Sequence, residues 1–103
     1  CDGTSGIKRA GSGLVNISGT TNAYSTCDYV KVSLHLDESS DGGNYFGNIA
    51  SYYFQEKNAK TCYGSKSNIS VTKDYKYRVR GGHSAIKGST VETTSTKAGV
   101  ITA

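Results

Sequence analysis

Few side chains in this sequence can do chemistry. Three cysteines stand at positions 1, 27 and 62, and two histidines at 35 and 83. A structural zinc site draws ligands in pairs two to four residues apart, and no cysteine or histidine here has such a neighbour. In a small exported domain an odd cysteine count implies one internal disulfide with one thiol left over. No serine sits in a GxSxG elbow, and neither His35 nor His83 has a catalytic set in sequence around it. The eight acids are scattered, without a pair suited to glycoside hydrolysis. The segment "DESSDGGN" places Asp37, Ser39, Asp41 and Gly42 at the first, third, fifth and sixth positions of an EF-hand-like loop. Asn48, however, stands where that loop needs its bidentate Glu, and a polar hairpin turn explains the same letters. The chain therefore reads as a non-enzyme with no metal and no cofactor.

The remaining signals concern surfaces, and strands must present them. "YKYRVRGGHSA" (residues 75–85) alternates with Tyr75, Tyr77 and Val79 on one face and Lys76, Arg78 and Arg80 on the other. "DYVKVSLHLD" (28–37) turns Val30, Val32, Leu34 and Leu36 inward, with Tyr29, Lys31, Ser33 and His35 outward. "GLVNISGTTNAY" (13–24) does the same with Val15 and Ile17. The turn formers "ESSDGGN" (38–44) lead into "YFGNIASYYFQE" (45–56). "KSNISVT" (66–72), with Ile69 and Val71 on one face, and "TVETTSTKAGVIT" (90–102) follow, the last after the turn "IKGS". Residues 1–12 form an N-terminal arm or a short first strand near "GIKRA". The count is about seven strands at spacings near ten residues, and no helix pattern competes. These spacings predict an all-β fold, a two-sheet antiparallel β-sandwich forming one domain over residues 1–103.

Composition agrees. At 103 residues the chain builds one modest core. Eight Tyr against two Phe, with no Trp or Met, mean that tyrosine rings supply much of the apolar contact. A formal charge of +4 is too small to imply nucleic acid, and no apolar run approaches the ~18 residues of a membrane span. A start at Cys1 rather than Met suggests a processed, exported protein. "NIS" occurs at Asn16 and Asn68, an acceptor only where asparagine is glycosylated.

The segment "SVTKDYKYRVRGGHSA", followed by "GSTVETTST", resembles the E, F and G strands of a fibronectin type III or immunoglobulin-like domain. That resemblance implies that Tyr75 or Tyr77 hydrogen-bonds back across the preceding corner. The chain as a whole is similar to small exported proteins of Gram-positive bacteria sharing an "AYSTCD", "YRVRGxHSA", "ETTST" pattern, which implies an extracellular, secreted or cell-surface location. In an immunoglobulin-like strand order Cys27 and Cys62 fall in loops at one end. The resemblance thus implies a Cys27–Cys62 disulfide closing about 35 residues and stabilising by roughly 3 to 4 kcal/mol. Cys1 is then spare, free to link subunits, carry a lipid or compete for a partner. The same order sets strands C and F side by side and gathers a basic patch of Lys31, His35, Lys76, Arg78 and Arg80, which Glu92 could quiet. Such a patch is either a solvated face or a contact for an acidic polymer. Lys–Asn cross-links of the kind found in some surface domains are not expected, since the last strand lacks Asn.

The resulting expectation is a non-enzymatic structural or adhesive protein of the cell surface, the repeating subunit of an extracellular filament, with self-association into a homopolymer and Cys1 available for linkage. The alternative is a secreted carbohydrate-binding module that uses Tyr29, Tyr45, Tyr52 and Tyr53 as a platform for an acidic or neutral polysaccharide. A small secreted toxin or inhibitor is third. Nucleic acid and a membrane span are not expected.

Overall fold

The structure, a computed structural model, describes all 103 residues. It is all-β and contains no helix, so no helix is long and apolar enough to cross a membrane. There are six strands: β1 (Asp2–Gly11), β2 (Leu14–Ser39), β3 (Gly47–Ser70), β4 (Lys76–Lys87), β5 (Thr90–Lys97) and β6 (Ile101–Thr102). All pairings are antiparallel within one sheet: β1-β2-β4-β5, with β3 along the other side of β2 and β6 beside the start of β4.

The sequence suggests about seven short strands, and the structure has six, two of them long. Residues 13–24 and 28–37 are halves of one strand, β2, and residues 45–56 and 66–72 belong largely to one strand, β3. The two run together as a bent ribbon. At the bend Asn22 pairs with Thr61 and Cys27 with Ala59, so Ala23 to Thr26 face the single residue Lys60. Extra residues in one strand bend it and increase its twist. Here the bend lets β2 exchange partners: its first half pairs with β1, up to Asn22 opposite Asp2, and its second half with β4, from Tyr29 opposite Ile86. The turn-rich letters "TNAYSTC" read as a break between strands because that composition also suits a bulge.

Bending turns the two halves of the sheet toward each other, and the core lies between them. Val15 and Ile17 come from one half, and Val30, Val32, Leu34, Leu36, Tyr77 and Val79 from the other, all fully buried. Burying each aliphatic side chain stabilises by about 1.5 to 3 kcal/mol relative to exposure. The inward set expected for 28–37 is the observed one. The halves approach closely because glycines receive large side chains. A Cβ at Gly19 would stand 2.6 Å from Leu34 Cδ2 and 3.3 Å from the Thr4 carbonyl oxygen. At Gly64, the register partner of Gly19, it would strike the Phe54 ring. Gly19→Ala should therefore lower stability by about 1 to 2 kcal/mol in urea unfolding through overpacking; an unchanged midpoint would show that the halves yield freely there.

The hairpins are tight. Gly13 (φ 69°) and Gly88 (φ 60°) supply the left-handed residues of the β1–β2 and β4–β5 turns. At the corner before β4, the buried Tyr77 hydroxyl accepts the Thr72 amide at 2.8 Å and donates to Glu38 Oε2 at 2.7 Å. Of the two tyrosines considered, Tyr77 makes the corner bond.

The expected Cys27–Cys62 bridge is not formed, and all three cysteines are free thiols. Register accounts for this. Cys62 lies opposite Thr21 and Cys27 opposite Ala59. Three positions along a strand amount to about 10 Å, beyond the ~7 Å between Cα atoms that a disulfide spans. Both thiols are buried, and burial pushes that of Cys62 up from its ordinary pKa.

Candidate binding face

The outward residues of the lower half, where β3, β2, β4 and β5 lie side by side, form one surface. Ladder partners share a face, so the register reads across it in rows. Ser51, His35, Arg80 and Lys97 form one row; Tyr53, Ser33, Gly82 and Ser95 the next; Gln55, Lys31, Ser84 and Thr93 the third; Lys57, Tyr29, Ile86 and Val91 the last. A shallow groove of about 530 Å³ runs over the middle rows, walled by Tyr53, Gln55, Lys31 and Thr93 and floored by Ser33 and Gly82. It is a groove because Gly82 carries no side chain: a Cβ there would stand 2.5 Å from Ser33 Oγ. A second groove of about 370 Å³ shares Gly82 and continues over His35, Arg80, Ser95 and Lys97. Both volumes fall in the range of small-ligand sites.

Four of the five expected patch residues, Lys31, His35, Arg78 and Arg80, share this face through their register, and Lys76 extends it at the start of β4 opposite Ser39. The expected quieting by Glu92 does not occur. Glu92 lies opposite Ala85 and its Oε2 sits 2.8 Å from the Cys1 nitrogen. Asp37 does that work. It continues the outward series 31, 33, 35 by one step, but its carboxylate is only 3% exposed beneath two arginines. Arg78 Nε donates to Oδ2 at 3.0 Å; Arg80 donates Nε to Oδ2 at 2.6 Å and Nη2 to Oδ1 at 3.0 Å. Burial alone would raise the Asp37 pKa; the bonds from Arg80 and Arg78 outweigh it and hold the carboxyl below its ordinary 3.8. Arg78 also lies over the Phe46 ring, 4.4 Å from its centroid. Both guanidiniums are thereby fixed.

The four tyrosines do not form one platform. Tyr53 stands 75% exposed beside the groove, edge-on to His35 with ring centroids 6.0 Å apart. Tyr29 lies on the same face, flanked by Lys31 and Lys57 ammonium groups 5.8 and 5.9 Å from its ring centroid. Tyr52 points to the opposite side and packs against the core, while Tyr45 is exposed in the β2–β3 connection. That connection is a self-capped turn. Asp41 Oδ1 accepts from Ser39 Oγ and from the amides of Asn44 and Tyr45. The two carboxylates of the EF-hand-like letters are thus spent separately, Asp37 on arginines and Asp41 on its own loop.

Two roles escaped the sequence reading. Lys97 joins the basic row because the two-residue turn after Lys87 pairs Lys87 with Thr90 and hence Arg80 with Lys97, a register legible from "KGST". His83 continues the inward series 77, 79, 81. It is buried, with Nδ1 2.8 Å from Thr21 Oγ1 and Nε2 2.8 Å from Thr96 Oγ1, and Thr96 in turn reaches Ser5. Thr21 spends its proton on the Lys31 carbonyl, so Nδ1–H donates to Thr21. Burial lowers the His83 pKa from its ordinary 6.5 and keeps the ring neutral. A Cβ at Gly3 would strike this ring, so β1 passes directly over it. His83 joins β1, β2, β4 and β5 beneath the groove and is sealed from solvent.

Another hollow of about 430 Å³ on the outer face of the other half, beside Tyr63, Asn16 and Ser65, lacks any comparable gathering of cations.

Residues 1–100 match the model described as "Family of unknown function (DUF6147)", and the chain belongs to that family. No curated protein matches it.

Proposed function

We propose that this member of the family is a non-catalytic adhesive domain of the cell exterior that binds polysaccharide on the outer face of β3, β2, β4 and β5. The observation that carries this reading is the open groove over Ser33 and Gly82 with Tyr53 exposed along its wall. Sugar rings present an apolar C–H face and an edge of hydroxyls. An exposed tyrosine beside small polar side chains offers a partner for each. Ser33, Ser84, Ser95 and Thr93 supply hydroxyls, and the strand scaffold keeps them in fixed rows. Tyr29, four residues from Ser33 on β2, extends the aromatic surface about 13 Å farther along the strands, which suits a chain rather than a single sugar. The facing of the two half-sheets supports a two-layer, immunoglobulin-like reading of the architecture.

Electrophoresis through gels carrying soluble glycans, with pull-down on insoluble ones, tests the proposal. Tyr53→Ala should weaken retention about tenfold, equivalent to about 1.4 kcal/mol, whereas Tyr63→Ala in the other hollow leaves it unchanged. Retention on no glycan, or indifference to Tyr53, would sink the reading.

A specific feature also favours the filament reading. β3 pairs only with β2, so one side of a 24-residue strand is an open edge able to accept a strand from a second copy. Electron microscopy and sedimentation of the purified protein test it: ordered fibres support self-assembly, and a concentration-independent monomer removes it.

A further inference from the structure

We infer that the polysaccharide bound here is anionic, and that its carboxylate or sulfate groups seat between Arg80 and Lys97, one row along the sheet and two to three strands across from Tyr53. This inference rests on the binding reading above and names its ligand class.

Arg80 and Lys97 are direct ladder partners on the outer face. Like charges directly opposite each other on a sheet are destabilising, and this pair has no carboxylate between its members. The one acid of the cluster, Asp37, lies beneath Arg80 and Arg78, and no ion pair includes Lys97. Two arginines and one aspartate leave one positive charge, and Lys97 makes it two. The placement is also fixed. Arg80 commits Nε and Nη2 to Asp37, which orients the guanidinium and leaves Nη1 with no partner in the protein. A cation held by a buried carboxylate keeps its position without a ligand, so an incoming anion meets preorganised donors.

The 370 Å³ groove lies over these side chains and adjoins the Tyr53 groove at Gly82. One row is about 7 Å along a strand. Arg80 on β4 and Lys97 on β5 stand two and three strands from Tyr53 on β3, about 10 and 14 Å across, so a polymer chain crossing the strands obliquely from a sugar on Tyr53 brings the acidic substituent of a following sugar over them. Farther along the same face Lys31 and Lys57 flank Tyr29, so cations recur along the track, as they must for a polymer charged at intervals. An isolated anion would need only the first pair.

The test compares polygalacturonate, dextran sulfate and uncharged dextran in affinity gels at 0.15 M salt. Polygalacturonate carries carboxylate, dextran sulfate carries sulfate, and dextran shares the second backbone without charge. At least one charged polymer should be retained about tenfold more strongly than dextran, and the two charged arms identify which anion is preferred. Lys97→Gln should weaken that retention about tenfold, Lys97→Arg should restore most of it, and Lys60→Gln, at the bend of the ribbon, should have no effect. Equal retention of charged and neutral polymers overturns the inference, as does equal weakening by Lys97→Gln and Lys60→Gln, which would mean diffuse charge attraction. Sensitivity to Tyr53→Ala without sensitivity to Lys97→Gln overturns it while keeping the polysaccharide reading. Insensitivity to both removes the two together.

Discussion

Asp37→Ala should unfold at lower urea concentration than the parent protein, by the equivalent of about 2 to 3 kcal/mol. Removing one member of a buried ion pair costs about 3 to 5 kcal/mol because the partner charge is stranded. The lower figure applies because Arg78 and Arg80 are 28% and 41% exposed and regain some water when released. Adding Arg80→Leu to Asp37→Ala should recover about 1 kcal/mol, since one stranded guanidinium is then gone. A neutral Asp37→Ala would mean that the arginines are held by strand packing and by Phe46 rather than by the carboxylate. The same carboxyl has an acid signature. Its folded pKa lies below the ordinary 3.8, so its contribution is intact above that pH and is lost as pH falls below it.

A second large effect belongs to His83, in a different pH window. The ring charges at its ordinary 6.5 when the chain is unfolded and only at lower pH when folded. Between those values the unfolded state holds more protons, so stability falls as pH is lowered from about 6.5. The slope is at most about 1.4 kcal/mol per unit, the value for one proton, and ends once the folded pKa is passed. His83→Ala should cost about 3 kcal/mol at pH 7.5, because a buried ring is replaced by a void lined by the hydroxyls of Thr21 and Thr96. It should also flatten the profile below about pH 6.5. A variant that is destabilised yet keeps the parent slope would assign the proton to another group.

The inward series Val30 to Leu36 was legible because strict alternation leaves one assignment for a half-buried strand, and Tyr77 and Val79 followed likewise. Continuing the same count one step past His35 reaches Asp37 on the outer face, and two steps past Val79 reaches His83 on the inner one. What the count does not contain is the partner. The pairing of Asp37 with Arg78 depends on the β2–β4 register, set by a long connection through β3 rather than by a tight turn, so alternation makes the arginine face look more open than it is. Lys97 differs, since a two-residue turn fixes its register locally. The junction of the two long strands was illegible for another reason. Residues 23–26, Ala-Tyr-Ser-Thr, break the apolar alternation as a turn would, and only the single residue Lys60 opposite them shows that the ribbon bends without ending. The cysteine pairing failed with that junction, because loops assigned to one end of a sandwich are positions along a single ladder.

Because β2 runs through both halves, neither half has a complete set of hydrogen-bonded neighbours without it. Loss of either end of the strand strips partners from the stretch of β3 beside it and exposes the apolar side chains of the opposite half. Backbone amides near Ile17 and near Leu34 should therefore exchange with deuterated solvent at one common rate, through a single global opening rather than two local ones. The rows over which a polymer would lie thus draw their rigidity from the entire molecule, and a ligand there would slow exchange even on the remote side beside β1.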